Sequence, residues 1–178
     1  MPVKLTDPQL VQAYTRLQQC EPRGRTLTNV LDSYTTSVRF ASWVSGGFTL
    51  NVINTIFLDP RQPLDYLVTL LAHEACHVEQ QFIVDSVQQE LVSYQAQCEV
   101  AKELGVDLGQ MNDFVSLNPT VSADLDTARQ LLVNLFAGQP AAILYASMPL
   151  FQPTGLAAGL AAARELAALA RAGFSNRA

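Results

Sequence analysis

The sequence predicts an α+β fold: a small antiparallel sheet packed against two consecutive helices, with extra helices before and after them. Residues 37–58 are rich in Val, Ile, Phe, Trp and Thr, which favour strands. The stretches on either side repeat apolar residues at helical spacing. Because 49% of the 178 residues are hydrophobic and only 15% are charged, the chain can bury a core. We expect one domain over residues 1–178.

Two helices are expected in residues 1–36. Thr6-Asp7-Pro8 has the composition of a helix start, since Asp caps a helix and Pro fits its first turn. Apolar residues then recur at helical spacing until Pro22 interrupts the pattern. A second helix is expected over residues 27–34.

The sheet is expected within residues 37–58. Gly46-Gly47 separates two apolar runs, which predicts a hairpin with a tight glycine turn. A third short strand at residues 55–58 should end at Asp59-Pro60. Whether residues 51–54 form a second turn or continue a long strand stays open.

Two helices should complete residues 37–104. Residues 65–82 show helical spacing of apolar side chains. Ser86 is followed three residues later by Gln89, which is a capping box and predicts the start of another helix. This second helix should continue until Gly105 ends it.

Residues 105–178 are expected to form a C-terminal helical part, with a loop over 113–122 and a helix over 123–136. No charged residue occurs between Arg129 and Arg164. Three prolines divide this apolar stretch into pieces shorter than the ~20 residues of a membrane-spanning helix, so no membrane span is expected. We expect burial against the domain or self-association into a homo-oligomer, and an interfacial membrane contact is the alternative.

The charge and the cysteines limit the function classes. The formal net charge is −5 and the sequence has no run of Lys or Arg, so nucleic acid is not an expected partner. Cys20, Cys76 and Cys98 lack paired CxxC spacing, which favours reduced thiols, although a Cys76–Cys98 bridge stays open. The N-terminus has no apolar run of signal-peptide length. We therefore expect a cytoplasmic protein.

The candidate metal-binding and catalytic residues lie in the segment His73-Glu74-Ala75-Cys76-His77. His73 and His77 are the only two histidines of the chain. Residues four apart share a helical face, so both imidazoles can bind one Zn²⁺ at about 2 Å. Zinc lowers the pKa of a bound water towards ~7, and Glu74 can accept the proton of this water and pass it to a leaving amine. The alternative is two structural histidines on an amphipathic helix.

The segment Leu70-Leu71-Ala72-His73-Glu74-Ala75-Cys76-His77 resembles the active-site helix of the zincin metallopeptidases. The preceding Thr55-Ile56-Phe57-Leu58-Asp59-Pro60 resembles the strand before that helix in small gluzincins, including the minimal gluzincins and the ImmA/IrrE-like proteins. The resemblance covers residues 37–103. It implies a zinc metallopeptidase that hydrolyses a peptide or protein substrate and takes its third zinc ligand from a Glu on the next helix. A metzincin would need a third His, which this sequence lacks.

Glu90 is the expected third ligand. The first helix should extend roughly 8 Å beyond His77, and an antiparallel second helix should return roughly 6 Å by Glu90. Glu99 would lie roughly 20 Å along that helix and about 180° round it. Glu103 lies one turn further, and Glu79 faces away from His77.

Tyr94 and three other side chains are candidates for roles beside the ligands. Tyr94 follows Glu90 by one helical turn, and it can donate its hydroxyl to an oxyanion, as a Tyr or His does in many gluzincins; packing is the alternative. Cys76 is expected to be a small buried hydrophobe, with a ligand or redox role as the alternative. Trp43 and Phe48 are expected in the core, with a place in a substrate cleft as the alternative.

Two other function classes are compatible with these residues. A non-catalytic binding or regulatory protein can retain a zincin-like fold, although the intact His73, Glu74 and His77 argue against it. A zinc enzyme that acts on a non-peptide amide would share every sequence feature of a peptidase.

Overall fold

The structure is a computed structural model of the chain, and it describes residues 2–81 and 85–153. The fold is α+β, as predicted, with helices and one small sheet among the described residues. The elements in chain order are β1 (Lys4–Leu5), α1 (Pro8–Gln19), α2 (Arg23–Ser33), β2 (Ser37–Phe40), β3 (Gly47–Leu50), β4 (Thr55–Leu58), α3 (Leu64–Gln80), α4 (Val87–Leu104), α5 (Ser122–Leu135) and α6 (Pro140–Ser147), with 3₁₀ helices at Asn51–Ile53 and Gly109–Ser116.

The chain divides into two compact units. The first, called the sheet unit below, comprises Met1–Phe82 and Ser93–Val115. The second, called the helical unit, comprises Ile83–Val92 and Ser116–Ala178. The residues of helix α4 up to Val92 belong to the helical unit, and those from Ser93 onward belong to the sheet unit.

The four strands of the sheet unit lie in the order β1-β2-β4-β3. The predicted antiparallel sheet is wrong for two of its three pairings, since β1 pairs with β2 and β2 with β4 in parallel. The predicted hairpin at Gly46-Gly47 is also wrong, because β3 pairs with β4 and not with β2. This order puts β4 inside the sheet, where Ile56 and Leu58 are fully buried. The antiparallel hairpin turns instead through Asn51–Ile53 and Asn54, whose φ is +46°.

Strand β3 lies at one end of the strand order, and its side chains alternate between the two sheet faces. Phe48 and Leu50 are exposed on one face. The expectation that Trp43 and Phe48 pack in the core is therefore wrong, because both are exposed.

Helices α1 and α2 pack against α3. The predicted start of α1 is confirmed: Asp7 Oδ1 accepts a hydrogen bond from the Gln9 backbone N–H at 2.8 Å, and Pro8 occupies the first turn. Helix α2 begins directly after Pro22, four residues before the expected start. The apolar faces of both helices are fully buried at Leu10, Leu17, Leu27 and Leu31.

Helix α3 is buried on all sides over twelve consecutive residues, 67–78. Strands β3 and β4 and helices α1 and α2 all contact it. From α4, Gln97 Nε2 donates to Thr69 Oγ1 at 3.4 Å. A helix with no solvent face keeps a polar side chain only where that side chain has a partner or a function. The polar residues of α3 are therefore the first place to look for a site.

The capping predictions for α4 are confirmed at both ends. Ser86 Oγ accepts from the Gln89 backbone N–H at 3.3 Å. At the other end Gly105 has a φ of +69°. The Val106 N–H donates to the Ala101 carbonyl at 2.9 Å, which closes the helix with a Schellman-type cap. Helix α3 ends at Gln80. The predicted end at residue 82 lies outside the described residues.

In the helical unit α5 packs against α6. Helix α5 matches the expected helix over 123–136, whereas the expected loop over 113–122 begins inside a 3₁₀ helix. The charge-free stretch 130–163 includes α6, and its part from residue 154 onward lies outside the described residues. Over residues 2–81 and 85–153, every helix is too short or too polar to cross a bilayer.

Candidate metal centre

His73 and His77 project from one face of α3, one turn apart. Their Nε2 atoms are 3.2 Å apart, and their ring centroids are separated by 5.0 Å. Both residues are buried. The burial of α3 therefore fixes two imidazoles in a convergent arrangement.

Glu90 completes a group of three. It lies in the first turn of α4 and is buried. His73, His77 and Glu90 each offer one ligand atom, and these atoms all lie within 4.8 Å of one another. The structure thus contains a buried His-His-Glu group that can hold a metal ion.

The other acidic residues considered as ligands have different surroundings. Glu79 forms an ion pair with Arg23, with 2.7 Å between Oε2 and Nη2. Glu103 accepts a hydrogen bond from the Glu21 backbone N–H at 2.9 Å. Glu99 is exposed. Of the four glutamates considered as third ligand, Glu90 is the one that the structure brings to both histidines.

The donor set and its spacing fit zinc. Two atoms bound tetrahedrally at about 2.0–2.1 Å lie about 3.3–3.4 Å apart, and the two Nε2 atoms are 3.2 Å apart. Two imidazoles and one carboxylate form a donor set of catalytic zinc sites, which leave a fourth position open. His73, His77 and Glu90 therefore suit a zinc ion without a large change in the histidine geometry.

Glu74, which follows His73 in α3, is held against β3. Thr49 Oγ1 donates to Glu74 Oε2 at 2.7 Å and lies 3.1 Å from the Glu74 backbone carbonyl. A Cβ atom on Gly47 would lie 2.4 Å from Glu74 Oε1, so the absence of a side chain at this position makes room for the carboxylate. Glu74 is 4% exposed. Strand β3 thus fixes the orientation of the buried carboxylate of Glu74, which lies between the two histidines in the sequence of α3.

Gly47 and Thr49 were not predicted as site residues. Their spacing of two places both on one face of a strand, which is a signal that the sequence contains. The helix that packs against this face cannot be predicted from the sequence. Asn51 was missed for the same reason: its Nδ2 donates to the His77 carbonyl at 3.1 Å.

Tyr94 packs against His73. The two ring centroids are 4.5 Å apart with planes at 72°, an edge-to-face contact. The other side of Tyr94 stacks on Phe114, with centroids 4.7 Å apart and planes at 20°. These are packing contacts, and a hydroxyl donated to an oxyanion stays a prediction.

Phe114 extends the support of His73 beyond the two predicted site helices. It is 1% exposed and lies in the 3₁₀ helix Gly109–Ser116. Gln95 Nε2 donates to the Phe114 carbonyl at 3.0 Å, which ties this segment to α4. Phe114 was missed because its region was predicted to be a loop.

Cys76 lies among the buried residues of α3 and contacts Arg23. Arg23 Nη2 donates to Cys76 Sγ at 2.9 Å. Burial raises the pKa of the Cys76 thiol to about 11, so the thiol is protonated at neutral pH. Cys20, Cys76 and Cys98 are all free and buried. These contacts favour the expected packing role for Cys76.

A scan against protein-family models, a search of curated proteins and a search of solved structures each found no match to this chain. The gluzincin resemblance therefore stays an expectation from the sequence.

Glu90→Gln is expected to weaken zinc binding by more than about 100-fold. The variant keeps the shape of the side chain but removes its charge, and loss of a ligand should exceed the 10- to 100-fold effect of losing an outer partner. Zinc affinity can be measured by competition with a chromophoric chelator. Glu99→Gln is the matched control on the same helix and should bind zinc like the wild type. Equal affinity in the two variants would show that Glu90 is not a ligand.

Phe114→Leu is expected to lower zinc affinity about two- to tenfold, since an aromatic pair contributes about 0.5–1.5 kcal/mol beyond its buried area. The substitution keeps an apolar side chain but removes the stack on Tyr94. The same chelator competition measures the effect. Val115→Ala is the control, because Val115 is the next residue and is 58% exposed. An unchanged affinity in Phe114→Leu would contradict a role for this stack in holding His73.

Proposed function

We propose that this protein is a zinc-dependent metallopeptidase that hydrolyses peptide bonds in an extended segment of a peptide or protein. One observation carries the proposal: His73, His77 and Glu90 form a buried group, and Glu74, the residue that follows His73 on the same helix, has a buried carboxylate that Thr49 orients. A purely structural His-His-Glu cluster has no need of a fourth buried and oriented acid. The free, buried cysteines also suit the cytoplasm, which is the location we infer.

His73, His77 and Glu90 are the residues that would hold zinc. Zinc in this position would supply Lewis acidity, lowering the pKa of a water and polarising the carbonyl of the substrate. The protein contributes the fixed geometry. Burial of α3 limits rotation of both imidazoles, and the Tyr94 ring packs against His73.

Glu74 is the proposed general base and then the general acid. It takes the proton of the attacking water and delivers this proton to the leaving amine of the cleaved bond. Both transfers need a carboxylate within hydrogen-bond reach of the reacting atoms. The Thr49 hydrogen bond to Oε2 and the close approach to Gly47 hold the carboxylate in one orientation. Tyr94 is proposed as a hydroxyl donor to the developing oxyanion.

The position of β3 supports an extended substrate. It is the last strand in the order of the described sheet, and its inward residues Gly47 and Thr49 contact Glu74. A peptide in extended conformation can add to the edge of a sheet through backbone hydrogen bonds. A peptide paired with β3 would run beside the Glu74 carboxylate.

Glu74→Gln is expected to keep zinc and to lose about 100- to 10,000-fold of the hydrolysis rate, the usual contribution of acid–base catalysis. The substitution preserves side-chain shape but removes the proton acceptor. Wild type and variant can be compared by metal analysis and by mass-spectrometric digestion of a peptide library. Glu99→Gln is the control and should match the wild type in both. Cleavage by Glu74→Gln at the wild-type rate, or a zinc-loaded wild type that cleaves nothing, would contradict the proposal.

Gly47→Ala tests the position of the Glu74 carboxylate without changing Glu74 itself. The added methyl group would overlap Glu74 Oε1, Cγ and Cδ, so the side chain must move. We expect zinc affinity close to that of the wild type and a hydrolysis rate at least about tenfold lower, because misplacement of a catalytic group by about 1 Å costs up to about 100-fold. Ser45→Ala, an exposed neighbour, is the control. A fully active Gly47→Ala would show that the position of Glu74 does not matter.

A further inference from the structure

Five large apolar side chains are exposed within residues 43–53. The exposed fractions are 69% for Trp43, 45% for Phe48, 37% for Leu50, 70% for Val52 and 57% for Ile53. We call these five residues the outer apolar surface. Single exposed hydrophobic residues are ordinary, whereas five of them within eleven consecutive residues are typical of a binding surface.

The outer apolar surface continues the strand that contacts Glu74. Side chains alternate along β3, so Gly47 and Thr49 face Glu74 while Phe48 and Leu50 face the opposite side of the sheet. Trp43 contacts Phe48, with ring centroids 6.3 Å apart. One short strand therefore contacts the candidate catalytic acid of α3 with one face and carries apolar side chains on the other.

The charge around this surface favours an uncharged occupant. No Asp or Glu occurs between Asp32 and Asp59, and Arg39 is the one charged residue in that interval. Arg61 is paired with Asp59 through two hydrogen bonds of 2.8 Å, and this pairing lowers the pKa of the Asp59 carboxyl. The cation of Arg61 is thus neutralised locally. Hydrophobic contact is the main attraction that the surface offers.

We propose that the outer apolar surface binds an extended, apolar segment of the substrate, so that the site acts on chains rich in aliphatic and aromatic residues. This inference rests on the proposed function and names the substrate class of the same site. A peptide paired with the edge of β3 projects every second side chain towards the face of Phe48 and Leu50, about 6.6–6.8 Å apart. Its other side chains project to the Glu74 face. Continuity with Glu74 favours a substrate segment over a lipid surface or a second copy of the chain.

Trp43 reports directly on this binding because it is the only tryptophan of the chain. The probe is an eight-residue peptide that alternates Leu and Thr, compared with a peptide in which each Leu is replaced by Ser. Binding is measured with metal-free, full-length wild type, so that it does not depend on hydrolysis. We expect the Leu peptide to shift Trp43 emission to shorter wavelength with saturation, and the Ser peptide to leave it unchanged.

Phe48→Ser and Val52→Ser should each weaken binding of the Leu peptide at least tenfold. Both positions are exposed, so the variants are expected to fold. Two variants are used so that the test remains possible if one of them does not fold. Val115→Ser is the matched control, since Val115 is 58% exposed in the same unit but lies outside the surface. Wild-type affinity in both surface variants would overturn the inference.

Other occupants give different outcomes. An emission shift with anionic phospholipid vesicles but not with the Leu peptide would assign the surface to a membrane and overturn the inference. A shift that depends only on protein concentration would assign it to a second copy and also overturn it. Saturable binding of the Leu peptide without cleavage by the zinc-loaded wild type would contradict the proposed peptidase function but support peptide binding by the outer apolar surface. Cleavage of that peptide at equal rates by wild type and Phe48→Ser would support the peptidase function but contradict the role of the outer apolar surface.

Discussion

Burial of α3 on every side is the constraint on which the candidate site depends. A buried helix cannot rotate to bring another face to its neighbours without breaking the packing of strands and helices around it. The packing of α3 therefore holds the two imidazoles on one face, where they converge. At this candidate metal site, hydrophobic packing keeps the two histidine side chains close together against their own mobility.

Different neighbours support each chemical group of α3. Glu74 depends on a strand, through the Thr49 hydroxyl and the missing side chain of Gly47. His73 depends on aromatic contact with Tyr94, which in turn stacks on Phe114. Glu74 and His73 can thus be perturbed separately. This separation allows a loss of the proposed metal binding to be distinguished from a loss of the proposed proton transfer.

The parts of the site that local rules describe were predictable from the sequence. The spacing of His73 and His77, the length of chain between the helices and the gluzincin resemblance together pointed to Glu90, which the structure brings into one group with the histidines. Helix ends were predictable where a side chain caps its own backbone, as at Asp7 and Ser86.

Non-local features were not predictable. The place of β4 inside the sheet depends on burying Ile56 and Leu58, which no local pattern distinguishes from a hairpin strand. Phe114 belongs to a 3₁₀ helix, and the residue pattern of this short segment was not distinguished from that of a loop. Gly47 and Thr49 share a strand face, but only the assembled sheet brings that face to Glu74.

The alternation along β3 also bears on how such a protein can diverge. A substitution in residues 67–78 changes packed volume and thus threatens the stability of the whole unit. A substitution at Phe48 or Leu50 changes an exposed contact and leaves the core intact. Natural variants can therefore change the proposed binding preference of the outer apolar surface through the outward positions of one short strand. The inward positions of that strand, and the helix behind them, have far less freedom to change.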